Sequence, residues 1–544
     1  MVEQADYVII GGGSAGCVLA ARLSENPATR VVLLEAGGEH DAFLVNMPAG
    51  TAKLMGHKTY DWCLPTQPDP SIDGRTMQWA AGKALGGSSA INGQVYMRGE
   101  RSDYDNWEKL GCAGWGWNEV FPYFLKAETL HDAPSQSHGS HGPLSVSPIH
   151  DPQPIGQKVI DAFSQIGIAE NQDYCDGSQA GVYRIYATQK DGRRCSTAHG
   201  YLDPARGRPN LTVITGALVD RIVIENGRAT GVLFRQDGQT RTISAAREVL
   251  LCAGTMHSPA ILMRSGIGPA AHLAEHGIAV AADLPGVGQN LREHNSIGLA
   301  KFVNIPTMSA KLGPVRMVGH LLNYLMFRKG LLTTPAVQVM ASFRTEPDLP
   351  DPDIILSMLP VAVTFNDAGD AVVEKRPSFS FGFHVARPQS RGEIRLRSAN
   401  PDDKPIIDHR LQGDPSDVEK LVKACKIVEE ACRAPALAAV ITGTMRPSPL
   451  PGTDEEWTAY VRQWGGTGYH PVGTCRMGPD GDPLAVLDPQ LKVRGVAGLR
   501  VIDASAMPEP VSANTNAPTI MIAEKAAALI RQDEKPAGRV KGAS

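Results

Sequence analysis

The sequence predicts an α/β fold in which a Rossmann-like nucleotide domain is interrupted by a middle region that forms a second body. Three observations carry this. A strand–glycine–helix–strand–acid unit opens the chain, a second strand runs into a glycine turn near residue 250, and nucleotide-type features return near residue 470 after a middle that has none.

Tyr7 to Ile10 is a short β-branched and aromatic run, which reads as a buried parallel strand. It is followed by Gly11-Gly12-Gly13-Ser14-Ala15-Gly16 and then by the apolar helical pattern Cys17 to Leu23. Gly11 permits the tight turn, Gly13 lets the backbone approach a pyrophosphate, and Gly16 allows helix to pack on strand. The helix start at Ser14 and Ala15 offers free N–H groups and a positive dipole end to phosphates. A second strand, Val31 to Leu34, ends in Glu35, about 20 residues beyond the glycines, where a carboxylate can accept from both ribose hydroxyls and would repel a 2′-phosphate. This unit serves FAD and NAD alike.

Three further segments narrow the choice. Gly82 to Gly99 holds the paired glycines Gly86 and Gly87, then Ser88, Ser89 and Asn92, a loop whose backbone can touch a flat phosphorylated ligand. The strand Val249 to Cys252 runs into Gly254 and the helical pattern beyond it. Tyr469-His470-Pro471-Val472-Gly473-Thr474 is followed by Asp503-Ala504 and by Asn514-Thr515-Asn516, with Pro518 to Ile530 reading as a helix carrying proline in its first turn. In the middle, Asp417 to Cys432 has the spacing of an amphipathic helix whose apolar face covers a sheet, and Gly392 to Arg397 alternates like a half-exposed strand. Asp533 to Ser544 reads as a loose tail.

Bulk properties exclude several classes. With 544 residues, 42% hydrophobic and 20% charged, the chain is globular and long enough to bury a large cofactor. A net charge of -4 gives no basic surface for nucleic acid. The nine cysteines include no C-x-x-C pair and read as reduced thiols, and no metal site is expected. His138 and His141, in a Gly/Ser-rich stretch, read as surface loop. The start, Met1 to Asp6, enters a strand without a basic leader, which makes the cytoplasm the expected compartment. No apolar run reaches the roughly 18 residues of a membrane span. The best candidate, Leu321 to Leu332, carries Arg328 and Lys329 and leaves a peripheral membrane contact open. Oligomeric state is not legible.

On Gly82–Gly99 and Gly254–Gly268, which match both of its signature patterns, the sequence closely resembles the glucose–methanol–choline (GMC) oxidoreductase family, from about Asp6 to Ile530. In style it is nearest to the bacterial choline and alcohol dehydrogenases of that family. The resemblance implies a discontinuous FAD-binding domain (1–155, 195–300 and 465–535), a substrate domain of antiparallel sheet backed by helices (156–194 and 301–464), and a tail (536–544). It places the FAD on Gly11, Gly13, Ser14, Ala15, Gly16, Glu35, Ala36, Gly86, Gly87, Ser88, Asn92, Gly93, Val95, Val219, Ala253, Gly254, Tyr469, Asp503, Ala504, Asn514, Thr515 and Asn516. Val219 would meet the adenine through its backbone, and Trp62 is either a nucleotide neighbour or a core residue. Where some members carry a histidine bonded to the flavin, this chain has Ile91, so a non-covalent FAD is expected.

The implied reaction is oxidation of a primary alcohol to the aldehyde with hydride transfer to flavin N5, the electrons passing to an unidentified acceptor or to O2. By resemblance His470 is the base, a role that suits an imidazole whose ordinary pKa is about 6.5. Asn514 stands opposite it and would donate to the substrate oxygen, while Asn516 would touch the flavin. Tyr469, Val95, Met97 and Phe365 are candidates for the pocket wall. A choline-like cation asks for an aromatic cage with a carboxylate, and with 6% aromatic residues and no cluster it is not expected. Two alternatives stay open: a hydroxynitrile lyase on the same fold with a structural flavin, and a nicotinamide-dependent dehydrogenase.

Overall fold

The strand Gln4–Ile10, buried from Tyr7 onward, pairs in parallel with Val31–Leu34 on one side and with the last eight residues of Gln239–Leu251 on the other. Leu211–Ile214 extends the parallel array beyond Val31–Leu34, and Leu499–Val501 extends it beyond Gln239–Leu251. Runs of Val, Ile and Leu buried on both faces suit strands covered by helices on either side. The structure, a computed structural model, describes residues 3–132, 136–365 and 371–533. Gln239–Leu251 is shared: its first half leaves the parallel array and pairs antiparallel with Arg228–Gln236, which pairs in turn with Leu218–Glu225.

Six helices matter for the site and its surroundings: α1 (Ser14–Leu23), α2 (Pro154–Gln165), α3 (Gly254–Arg264), α4 (Pro314–Phe327), α5 (Pro415–Arg433) and α6 (Asn516–Asp533). α1 and α6 pack together and are buried almost all round, as helices sandwiched between a sheet and other elements must be. Arg22 of α1 and Glu524 of α6 form an ion pair at 2.7 Å.

A second sheet is antiparallel throughout, in the order Ile441–Arg446, Asn295–Val303, Ser378–Val385, Ile354–Leu359, Val339–Phe343, Gly181–Arg184. Its two faces have different duties because strand side chains alternate. Leu299, Phe381, Phe383, Leu356 and Ala341 join one core with Val159 and Phe163 of α2 and with Leu421, Cys425 and Val428 of α5. The helix expected over Asp417 to Cys432 is therefore present as α5, with the expected face inward. The opposite face carries Ser296, Ser357, Gly382 and His384, which roof the cleft described below. Asn295–Val303, which spans the boundary placed at residue 300, and the short strand Gly466–Thr467, inside the last FAD segment, both pair in this second sheet. The alternating stretch near residue 394 forms Glu393–Arg395, paired with Ile406–Asp408.

Candidate active site

The first glycine turn is dictated by space. Gly11 has φ +97°, and a Cβ there would lie 2.5 Å from the Cys252 carbonyl oxygen; a Cβ on Gly16 would lie 1.9 Å from the Gly11 oxygen, so no side chain fits between helix and turn. The second glycine loop rests on the first. Gly86 N–H donates to the Gly12 carbonyl at 2.7 Å, and a Cβ on Gly87 would come within 2.7 Å of Gly13 Cα. Glu35 closes this end, accepting Gly12 N–H on Oε2 (2.8 Å) and Gly37 N–H on Oε1 (2.7 Å), while burial pushes its pKa up to about 7.

A third turn ties the far end of the cleft to the first. Gly254, at φ +81°, donates its N–H to Asp503 Oδ2 (2.9 Å), which also accepts from Ser258 Oγ (2.6 Å). Thr255 Oγ1 donates to the Pro471 carbonyl and Thr474 Oγ1 to the Thr255 carbonyl, both at 2.7 Å, so the α3 turn and the His470 segment hold each other. Ser14 Oγ, at the start of α1, donates to Asn516 Oδ1 at the start of α6 (2.8 Å).

His470 sits where the two sheets meet. The segment before it runs antiparallel to Arg292–Asn295: Gly468 N–H donates to the His294 carbonyl (2.8 Å), and Arg292 and Val472 exchange backbone bonds. Tyr469 takes φ +62°, uncommon for a bulky residue, and this turn points the next ring inward. His470 Nδ1 then lies 2.9 Å from His294 Nδ1, and its Nε2 lies 2.8 Å from Asn514 Nδ2. His294 Nε2 donates to the Ala386 carbonyl (3.1 Å), and the His384 ring stacks on His294 with centroids 4.5 Å apart. Burial holds all three imidazoles neutral: His294 is pushed down to about 4, and His470 and His384 well below the ordinary histidine value. The Glu293 carboxyl group accepts the His470 backbone N–H (2.9 Å), and its pKa is pushed up to about 8 by burial.

One continuous cleft joins these parts, from Glu35, Ala36 and Val219 at one end to His470 and Asn514 at the other, along the carboxyl ends of the parallel strands. Every residue expected to hold the cofactor lines it except Gly16 and Gly86, which lie behind its wall and shape the turns. Trp62 lines it too, with Lys83 over its ring at 4.6 Å. Among the described residues Asn514 Oδ1 and His384 Nε2 are buried without a hydrogen-bond partner, as polar atoms facing a ligand would be.

Two expectations are corrected. Met97 is fully buried in the main core and forms no part of the cleft wall, because the strand alternation that presents Val95 to the cleft turns Tyr96 away and the chain then leaves the cleft. His138 is not in a surface loop: it is buried, with Nδ1 2.7 Å from Glu128 Oε1 and Nε2 3.2 Å from Asp173 Oδ1, beside Arg98. Its partners stand 10, 35 and 40 residues away in other segments, which local composition does not reveal. His141 is exposed as expected, and the side chain of Phe365 lies outside the described residues. Sequence reasoning missed His294 and His384, which belong to no motif.

An α/β fold with glycine turns at the strand ends, a buried acid at the nucleotide end of the cleft and a neutral imidazole at the other defines a dinucleotide-dependent oxidoreductase. Comparison with known proteins sharpens this. The GMC oxidoreductase N-terminal model matches residues 5–296 and its C-terminal model residues 388–523, and the chain belongs to that family. It is 40% identical over 533 residues to an alcohol dehydrogenase [acceptor] of Pseudomonas putida, covering 96% of this chain and 95% of that protein. It is 40% identical over 527 residues to an oxygen-dependent choline dehydrogenase of Sinorhizobium medicae, again covering 96% and 95%. Among solved structures, pyridoxine 4-oxidase from Mesorbium loti superposes with a TM-score of 0.88 at 31% identity, covering 97% of this chain and 99% of that one. The protein is thus an FAD-dependent oxidoreductase acting on CH–OH donors, which removes the nicotinamide alternative.

Proposed function

We propose that this enzyme oxidises an uncharged primary alcohol to its aldehyde, with His470 Nε2 taking the hydroxyl proton. The FAD, held without a covalent bond, supplies the hydride acceptor at flavin N5. The observation that carries this reading is the tautomer chain. A carbonyl can only accept, so the Ala386 oxygen requires the proton on His294 Nε2; His294 Nδ1 is then a bare acceptor, and His470 Nδ1 must carry the proton facing it. This leaves the lone pair on His470 Nε2, directed at the cleft. Asn514 Nδ2 faces that lone pair and can donate to an oxygen as it gains negative charge. The N-terminus of α6, opening at Asn516, favours negative charge at the same end of the cleft.

The wall supports a neutral substrate. The carboxylates that line the cleft are Glu35, Asp402, Asp403 and Asp503. Glu35 and Asp503 are committed to backbone and serine donors, and Asp402, on an exposed turn, pairs with Arg235 of the antiparallel hairpin. Around His470 the polar wall groups are hydroxyls, an amide and imidazole, all uncharged: Ser296, Ser357, Tyr469, Asn514 and His384. A quaternary ammonium would find no anionic partner there.

The test is a panel of aliphatic, aromatic and ether-linked primary alcohols with choline beside them, assayed anaerobically for bleaching of the flavin absorbance and aerobically with an artificial electron acceptor and for peroxide. Bleaching by uncharged primary alcohols supports the reading and is incompatible with a lyase. Preference for choline, or an absorbance untouched by every alcohol, overturns it.

A further inference from the structure

Helix α4 turns its apolar side to solvent. At 100° per residue, Val315, Val318, Leu322, Leu325 and Met326 fall within an arc of roughly 100°. Val315 is 85% exposed, Met326 68% and Val318 59%, and Phe327 at the helix end is 60% exposed. The helix is moored from the opposite side by Tyr324, fully buried, whose ring meets Phe43 edge-on at 5.8 Å and is covered by the Arg328 guanidinium at 4.7 Å. Isolated exposed leucines need no explanation, but a continuous stripe along a 14-residue helix marks a surface that something covers.

Charge says what. From residue 294 to residue 345 the chain has no aspartate or glutamate, although it carries 57 acids in all. Arg316, Arg328 and Lys329 lie on α4 or directly after it. Of the neighbouring acids, Glu39 and Asp203 are engaged by Arg206 (2.7 Å) and His40 (3.0 Å), and the exposed Asp41 lines the same surface hollow as Arg328. A second copy docking through the same face would set these cations against themselves with no carboxylate of α4 to neutralise them. An apolar stripe flanked by basic residues is instead the pattern of a helix lying in a membrane interface.

We propose that α4 docks the enzyme peripherally on anionic lipid bilayers, its apolar stripe entering the acyl boundary and Arg316 and Lys329 meeting lipid phosphates. No helix among the described residues is long and apolar enough to cross a membrane, so the attachment is to one face. The inference is independent of the substrate and of the role of His470.

Cosedimentation of the full-length flavoprotein with vesicles of phosphatidylcholine, alone and mixed with phosphatidylglycerol, tests it. Binding should favour the mixed vesicles and weaken with salt. The double variant Val318→Glu, Met326→Glu should lower the vesicle-bound fraction by about tenfold or more, with alcohol turnover in solution unchanged because α4 does not line the cleft. No binding to either vesicle, or equal binding by the variant, overturns the proposal. So does sedimentation showing a concentration-dependent dimer that the same variant dissolves, which would assign the stripe to a second copy.

Discussion

His294 Nδ1 and His470 Nδ1 lie 2.9 Å apart, within hydrogen-bonding distance of each other. One nitrogen must therefore carry hydrogen and the other a lone pair, and the Ala386 carbonyl, 3.1 Å from the far side of His294, favours the proton on His470. A backbone carbonyl one residue past the strand Ser378–Val385 thus bears on the tautomer of a side chain in the C-terminal box.

Replacing His470 with alanine should lower turnover by about 10²-fold or more, the usual scale for a lost general base, with FAD still bound. Stopped-flow reduction of the flavin by alcohol reads the first effect and the absorbance of the purified variant the second. Asn514→Ala should slow the same reduction without bleaching the resting protein. Unchanged turnover in His470→Ala would place the base elsewhere.

His294→Leu removes the acceptor that holds His470 in its productive tautomer. The rate constant should fall by about tenfold or more while KM moves little, since His294 is screened from the cleft by His470 and His384. A loss expressed in KM alone would show that His294 shapes the pocket and not the base.

The pH dependence has a definite sign. His470 acts as a base only when neutral, and burial, then the His294 ring beside it, hold its pKa well below 6.5. Activity should thus be flat through the neutral range and fall only when pH drops well below 6.5. The histidines' contribution to stability moves the same way. The unfolded chain protonates its histidines below about pH 6.5 while the folded imidazoles resist, so stability is lost as pH falls from there, His294's share ending near its folded value of about 4. Denaturation of the holoprotein across pH should show a shallower acid slope in His384→Leu.

Ile91 has no atom that can bond to a flavin methyl. Acid or heat denaturation followed by centrifugation should leave the yellow colour in the supernatant. Flavin absorbance retained on the precipitated chain would refute non-covalent binding.

At Gly16 a Cβ would overlap the Gly11 carbonyl at 1.9 Å. Gly16→Ala should destabilise the fold by about 1–3 kcal/mol and reduce FAD occupancy, because the turn that must shift is the floor of the cleft. Thermal denaturation and the flavin-to-protein absorbance ratio together measure both. Full occupancy at unchanged stability would contradict the assigned packing.

Much of the cleft was legible along the chain because its parts are local: a strand ending in Gly11, a loop with paired glycines at Gly86, a turn at Gly254, and a helix entered through Asn516 each announce themselves in a few consecutive residues. The same holds for α5, whose inward face follows from spacing. Met97 is not legible in this way, since proximity in sequence to Val95 says nothing about where the chain turns next, nor is the burial of His138, whose partners Glu128 and Asp173 stand 10 and 35 residues away with no pattern linking them to it.

What the chain alone determined is the nucleotide end: turns that only glycine can make, and an acid at the end of the second strand, are steric and electrostatic necessities written in short stretches. What only the tertiary structure decided is the state of His470 and the outward face of α4. The first depends on Ala386, His294 and His384 being carried to one point by antiparallel strands. The second depends on which side of a helix its neighbours leave uncovered, and hydrophobic spacing reads the same whether the apolar side faces a core or the solvent.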